Sequence, residues 1–279
     1  MNVGGKMRVP QNYENMRTIQ EMISLKGRTA LVTGAAGGIG SATSYALAQL
    51  GANIALVDIS AQKKRLQENA EEIRRRCNVE CRCYLVDISD EESVIRLFDQ
   101  VWDELGPVTI MHNNAGIGIW PDDSSLPTES WKKMVDVNLS GSFYMARTCA
   151  LKLARAGMKG SIVTTASMSG HIINAGPGYS ATKAGVKHMS ASLGIEFAKQ
   201  GIRFNTVSYG YILSGMHKSS SEEALENLLS SFDEHTPMGR MGMLDEVVGA
   251  VIFCATELSS FMTGSDVLVD GGFSIGRLF

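Results

Sequence analysis

The stretch TALVTGAAGGIG, residues 29–40, decides how the rest of the chain is read. Its first five residues, Thr29 to Thr33, are short, apolar and partly β-branched, the composition of a strand buried on both faces. Gly34, Gly38 and Gly40 follow in the pattern T-G-x-x-x-G-x-G. The next run, SATSYALAQLG, carries apolar and small residues at helical spacing (Ile39, Ala42, Ala46, Leu47, Leu50) and stops at Gly51. A buried strand, a glycine turn and a helix in immediate succession have a physical use. Glycines let the backbone turn tightly and approach a pyrophosphate, which then sits at the positive end of the helix. Glycine-rich turns are common by themselves. The position between strand and helix is what gives this one weight.

The same logic repeats downstream. ANIALVD (52–58) predicts a second strand, AQKKRLQENAEEIRRR a charged surface helix, and CRCYLVDIS (81–89) a third strand. EESVIRLFDQVWDEL predicts a helix, and VTIMHNNAG (108–116) a fourth strand with its loop. A long helix is expected from about Thr128 to Ala156, bent or bulged where Asn138 and Gly141 interrupt it. GSIVTTAS (160–167) predicts the fifth strand, Tyr179 to Gln200 a helix, and IRFNTVSY (202–209) the sixth strand. In the Met- and Ser-rich segment 210–243 only SEEALENLLSSF has a helical pattern, and a substrate lid is expected there. LDEVVGAVIFCATEL predicts a last helix and SDVLVDGG a seventh strand. Alternating helices and non-alternating apolar strands imply an α/β fold: a doubly wound parallel sheet of about seven strands, with helices on both faces. Residues 1–24 are expected to be an extension, with IQEMISL a short amphipathic helix used for packing or subunit contact. Residues 25–279 are expected to form one domain, with no dividing linker and no internal repeat beyond the strand–helix alternation.

In such a sheet the carboxyl ends of the strands line one crevice. Asp58 ends the second strand, 18 residues after Gly40, where a carboxylate can hydrogen-bond the adenosine ribose hydroxyls and would repel a 2′-phosphate. No Arg or Lys lies in the glycine turn or directly after Asp58, the nearest being Lys63 and Lys64. Together these favour NAD over NADP. Asp87 is expected to end the third strand, and Asn113-Asn114-Ala115-Gly116 the fourth, in register with Asp58.

The chemistry is expected between Asn138 and Lys183. Ser167 closes the fifth strand, Tyr179 follows twelve residues later, and Lys183 four beyond that. The last spacing places phenol and ammonium on one helix face, one turn apart. A phenol titrates near pH ~10, and lowering it by roughly three units takes about 4 kcal/mol. A fixed positive charge beside it is the direct means. Tyr179 and Lys183 therefore read as an acid/base pair, with Ser167 a neutral hydrogen-bond donor. His171 is expected to be solvated or packed rather than to touch substrate, and His188 lies off the catalytic face.

Composition narrows the function. The net charge is −3 with 26 basic and 29 acidic residues, which leaves no basic patch or tail for nucleic acid. The polar start lacks the apolar core of a secretory signal, and no apolar run approaches the ~18 residues of a membrane span. These features lead us to expect a soluble cytoplasmic protein. The five cysteines are odd in number, and three cluster as CNVECRC without the four-ligand pattern of zinc, so they read as reduced thiols.

TGAAGGIG, Asp58, Asp87-Ile88, NNAG, Asn138, Ser167, YSATK (179–183) and VDGG together resemble the short-chain dehydrogenase/reductase family, from about Leu25 to Phe273. The resemblance implies an NAD-dependent alcohol dehydrogenase or ketone reductase, with Tyr179 as catalytic acid/base and Ser167 orienting the substrate oxygen. It further implies that Lys183 holds the nicotinamide ribose and lowers the Tyr179 pKa, and that Asn138 maintains a water for proton relay. Asp87 and Ile88 are implied at the adenine, and Asn114 near the adenosine ribose. Gly34, Gly38, Ile39, Gly40, Ile59, Ala115, Gly116, Gly210 and Ile212 are implied along the cofactor. The family usually has Pro-Gly after the sixth strand, whereas this chain has Ser208-Tyr209-Gly210. Without the proline's φ restraint, Tyr209 or Tyr211 is expected to supply part of the substrate wall. The C-terminal stretch is most similar to polyol and ketose members, so a small polyhydroxylated substrate leads. A 3-oxoacyl carrier-protein reductase, usually drawing on NADPH, a hydroxysteroid dehydrogenase and a catalytically silent NAD sensor or scaffold stand as alternatives. A homotetramer is implied, with the helices around 128–156 and 179–200 at its interfaces, and no metal is expected.

Overall fold

The computed structural model describes residues 16–120, 127–214 and 235–276. The expected helix over 221–232, and with it most of the expected lid, lies outside the described residues.

Seven parallel strands form one sheet in the order β3-β2-β1-β4-β5-β6-β7. They are β1 (Thr29–Thr33), β2 (Asn53–Asp58), β3 (Cys81–Leu85), β4 (Val108–Asn113), β5 (Gly160–Thr165), β6 (Ile202–Tyr209) and β7 (Asp266–Val269). The strand order reverses between β1 and β4, and at that switch point two loops diverge and leave a crevice above the sheet. β1 and β4 are buried at every position; β1 is apolar between its end threonines, whereas β4 buries Thr109, His112 and Asn113 among its apolar residues.

Helices α2 (Gly38–Gln49), α3 (Lys63–Cys77) and α8 (Leu244–Ala255) accompany one core, and α4 (Glu91–Leu105), α6 (Ser142–Arg155) and α7 (Pro177–Phe197) the other. The first core holds Leu47, Leu66, Ile73, Val247 and Val251; the second holds Phe98, Val101, Leu153 and Phe204. α3 is charged except at Leu66, Ala70 and Ile73, whose spacing gives it a single buried stripe. It ends on Asn78 in the left-handed conformation, φ 48°. The short helix α1 (Ile19–Ile23) is held by a Thr18/Glu21 capping box and lies against the turn Glu257–Ser259, where Arg17 and Glu257 pair at 3.0 Å.

The interrupted helix takes a specific form. α5 (Thr128–Met134) passes into a π-helical turn over Val135–Gly141, which leads directly into α6. Gly141 is required for a close approach: a Cβ there would stand 3.0 Å from the Ile88 carbonyl oxygen and 2.8 Å from its side chain. The loop after β3 is thus pressed onto the π turn.

Two boundaries move. β3 ends at Leu85, so Asp87 and Ile88 lie in the following loop rather than at the strand end. There the Asp87 carboxylate accepts from the Ser89 backbone and hydroxyl. β5 ends at Thr165, and Ser167 caps the short 3-10 turn Met168–Gly170. The cysteines are all free thiols, and burial pushes Cys81 up to about 12. Among the described residues no helix is long and apolar enough to cross a membrane, and no group of three metal-ligating side chains gathers.

Candidate active site

Above the β1/β4 switch point runs a cleft of about 590 Å³. One end is formed by Asp58 and Ile59, the floor by Gly34 and Gly37–Gly40, and the other end by Tyr179 and Lys183. Asp87, Ile88, Asn114, Ala115 and Gly116 line its sides. Residues expected from five separate stretches of sequence are therefore neighbours.

The glycine turn is tightly built. Gly34 has φ +63°, and a Cβ there would lie 3.0 Å from the Ala115 Cα. A Cβ on Gly40 would lie 2.2 Å from the Gly34 carbonyl oxygen. The helix α2 begins at Gly38 with no side chain capping its first N–H groups, so these remain as donors at the floor of the cleft. This donor set, flanked by glycines, fits the pyrophosphate of a dinucleotide. Asp58 stands at the rim, with Oδ2 accepting from Ala36 N at 2.9 Å and Oδ1 from Ile59 N at 2.8 Å.

At the other end, Asn138 sits in the π turn with no exposed surface. Its Oδ1 accepts from Ile117 N at 2.8 Å, and its Nδ2 donates to Ile117 O at 2.8 Å and to Thr182 Oγ1 at 3.2 Å. Thr182 in turn donates to Tyr179 O at 2.8 Å. One amide thus joins the loop after β4 to the helix that carries Tyr179. Lys183, 4% exposed, donates from Nζ to Thr165 O at 2.9 Å. The Thr165 hydroxyl donates to Asn114 Oδ1 at 3.1 Å, which leaves its oxygen to accept from His112 Nε2 at 3.0 Å. Burial drives His112 down to about 3, so the imidazole is neutral and serves as a strut.

Ser167, Tyr179 and Lys183 converge as expected, and Ser167 is a hydrogen-bonding neighbour of the Tyr179 phenol. The electrostatics depart from the expectation. Burial holds the phenol above its ordinary value, and the bond to Ser167 only partly opposes this. Lys183 Nζ lies over the ring, 5.7 Å from the centroid, and burial brings the lysine itself down to about 8.

The far wall also differs. Tyr209 is 5% exposed and packs in the core that holds Val247, Val251 and Cys254; among the described residues its hydroxyl has no partner. It is therefore a core residue, not part of a substrate wall, because its place in β6 points it at the α8 face. Gly210 and Ile212 do not line the cleft: Gly210 N bonds to Val269 O, and Ile212 bridges to Gly242. Tyr211 lines a separate cavity of about 80 Å³ and stacks edge-on against Phe273, with ring centroids 5.2 Å apart. Among the described residues of this segment, Ser214 reaches the cleft, and its carbonyl oxygen would lie 2.4 Å from a Cβ on Gly38.

Trp120 was not anticipated from the sequence. It lines the cleft and meets Tyr179 edge-on at 5.2 Å, folding back over Gly118. Its only sequence signal is its place just after NNAG. Gln62 and Arg65 line the adenosine end without any motif to announce them. His171 lies outside the cleft, where its Nε2 bonds Asp266 at 2.7 Å and ties the Ser167 turn to β7.

A family model described as enoyl-(acyl carrier protein) reductase matches residues 34–274. A sorbose reductase of Schizosaccharomyces pombe is 40% identical over 259 residues, covering 90% of this chain and 98% of the relative. An NADP-dependent mannitol dehydrogenase of Hypocrea jecorina is 33% identical, covering 95% and 99%. An NADH-dependent L-xylulose reductase of Ambrosiozyma monospora is 35% identical, covering 89% and 95%. A solved short-chain type dehydrogenase/reductase from Mycobacterium marinum superposes with TM-score 0.83 at 33% identity, over 92% of this chain and 99% of that one. The motif order, the switch-point cleft and these matches over nearly the whole length agree: the chain belongs to the short-chain dehydrogenase/reductase family, oxidoreductases that use a nicotinamide cofactor.

Proposed function

We propose that this chain interconverts a secondary alcohol and a ketone on a small polyol or ketose, with NAD(H) as its preferred cofactor. The observation that carries the reading is one continuous cleft with Asp58 at one end and Tyr179 and Lys183 at the other, the Tyr179 phenol being hydrogen-bonded to Ser167 behind it. The sorbose, mannitol and xylulose activities named for its relatives support the substrate class.

A bound nicotinamide supplies the hydride chemistry. The chain's own residues do the rest. The N–H groups at the start of α2 and the glycine turn hold the phosphates. Asp58 faces the adenosine ribose hydroxyls. Tyr179 gives a proton to the ketone oxygen in reduction, or takes it from the alcohol in oxidation. A phenol held protonated by burial suits the donor role. Ser167 hydrogen-bonds the same substrate oxygen, and Lys183 holds the nicotinamide ribose beside it. Asn138 fixes Ile117 and, through Thr182, the backbone of Tyr179, so its part in proton transfer is to keep the pocket in shape. Trp120, standing over the Tyr179 ring, supplies one wall for the substrate.

We take residues 25–279 as the catalytic domain, 1–24 as an extension, of which Arg17 pairs with Glu257, and the assembly as a homotetramer, which light scattering tests. The principal test follows NADH absorbance with sorbose, fructose and xylulose, their polyols, a hydroxysteroid and a 3-oxoacyl thioester. Turnover on a ketose or polyol and not on the last two is expected. Cofactor binding without turnover across the panel refutes the enzyme reading, and a clear preference for NADP refutes the part given to Asp58.

A further inference from the structure

Behind Ser167 lies a polar cluster that the reaction itself does not use. Asp266 stands in β7 with its side chain 15% exposed. Its Oδ1 accepts from the hydroxyls of Thr206 and Ser208 in β6, the latter at 2.9 Å. Its Oδ2 lies 2.7 Å from His171 Nε2. An ionised carboxylate only accepts, so Nε2 carries the proton of that bond. Ser208 gives its hydrogen to Asp266, and its oxygen, 3.2 Å from the same Nε2, is left to accept.

On its other side His171 meets α7. Lys187 Nζ lies 3.1 Å from Nδ1 and 3.2 Å from Nε2. Nearly equal distances to both nitrogens set the ammonium against the face of the ring. Lys187 follows Tyr179 and Lys183 at four-residue spacing, so it extends the same helix face by one turn. The ring is thus held between the helix that carries Tyr179 and the last strand of the sheet.

His171 closes the turn that Ser167 opens. Ser167 Oγ accepts from Ser169 N at 3.1 Å, Gly170 N donates to Ser167 O at 2.9 Å, and His171 N to Met168 O at 2.8 Å. Between the two ends, Gly170 rests on α7: a Cβ there would lie 3.0 Å from Ala184 N and from the Lys183 carbonyl carbon. The serine end of the turn bonds the Tyr179 phenol, and the histidine end bonds Asp266. Five residues joined by this many internal bonds move together, so a shift at His171 is passed to Ser167.

We propose that His171, held by Asp266 and Lys187, is a positioning residue that sets Ser167 against the Tyr179 phenol. The inference rests on the reading of Ser167 and Tyr179 as the groups that meet the substrate oxygen. His171 lines no part of the cleft and acts through the turn.

The test compares wild type, His171→Leu and His171→Gln in steady state, with NADH and whichever of sorbose, fructose and xylulose wild type reduces fastest. Leucine keeps the bulk and removes the donor, whereas glutamine carries a donor at similar reach. His171→Leu is expected to lose about tenfold in kcat, since a misplacement of about 1 Å at reacting groups costs up to about a hundredfold. NADH affinity from fluorescence titration should stay within about twofold, because no cleft residue is changed. Tm should stay within about 2 °C, since a partly exposed pair adds little to stability. His171→Gln should recover most of the kcat, and His188→Gln, at an exposed position of the same helix, should change nothing. An unchanged kcat in His171→Leu overturns the proposal, as does a glutamine variant as slow as the leucine one. A fall in NADH affinity or in Tm large enough to account for the lost activity overturns it too. Absence of turnover by wild type on the three ketoses overturns the ketose reading, and the positioning role with it.

Discussion

Replacing Asn138 by Leu tests the link between the cleft wall and the catalytic helix. The substitution keeps the side-chain volume and removes three hydrogen bonds, two to Ile117 and one to Thr182. At about 1 kcal/mol net per bond the loss is about 3 kcal/mol. The Ile117 N–H and C=O lose their side-chain partner beside a fully buried residue, which keeps the loss from being smaller. Unfolding entropy of about 2.1 cal/mol/K per residue gives roughly 0.6 kcal/mol/K for a chain of 279 residues, so Tm should fall by about 5 °C. Thermal denaturation followed by circular dichroism measures this. A double-mutant cycle with Thr182→Val isolates the second half of the link. Because Asn138 Nδ2 donates to Thr182 Oγ1 at 3.2 Å, the two changes should couple by about 0.5 kcal/mol or more rather than add. The kcat of Asn138→Leu should drop at least about tenfold, because a misplacement of about 1 Å at reacting groups costs more than that. A folded variant with Tm within about 1 °C of wild type, or strict additivity with Thr182→Val, would refute the reasoning.

Four further outcomes are expected. Tyr179→Phe should lose about two to four powers of ten in kcat while retaining cofactor binding; unchanged turnover on a good substrate would remove the tyrosine from the chemistry. Tyr209→Phe should stabilise the chain by about 1 kcal/mol, since it removes a buried hydroxyl that has no partner among the described residues, and a lowered Tm would refute this. Gly40→Ala places a Cβ 2.2 Å from a backbone oxygen of the glycine turn, so nucleotide binding measured by calorimetry should be lost or greatly weakened even where the variant folds. Lys183 has a folded pKa near about 8, below its unfolded value of 10.5, so the unfolded chain binds more protons between these limits and stability rises with pH across them. The urea midpoint of the cofactor-free protein should therefore increase from pH 8 towards pH 10, and Lys183→Met should flatten that increase.

The fold and the nearness of the candidate catalytic residues were legible in the sequence because both are written in short-range spacing. A strand buried on both faces is dominated by apolar residues, and TALVT places Ala30, Leu31 and Val32 at its fully buried centre. The glycine turn depends on residues within seven positions of one another. Tyr179 and Lys183 share a helix face at four-residue spacing wherever that helix is placed. Asn138 and Gly141 announced a break in their helix, and the break is a π turn. Only the tertiary structure could decide what depends on which face is turned to which neighbour. In a sheet covered on both sides the sequence does not say which alternate residues of β6 face which layer, and Tyr209 goes to the core under α8 instead of the site. Arg65 and Trp120 reach the cleft through the packing of α3 and the path of the loop after β4, and no local pattern encodes either. The Tyr179 phenol is raised rather than lowered because a pKa reports burial as well as charge, and burial comes into being only when the chain closes around the site.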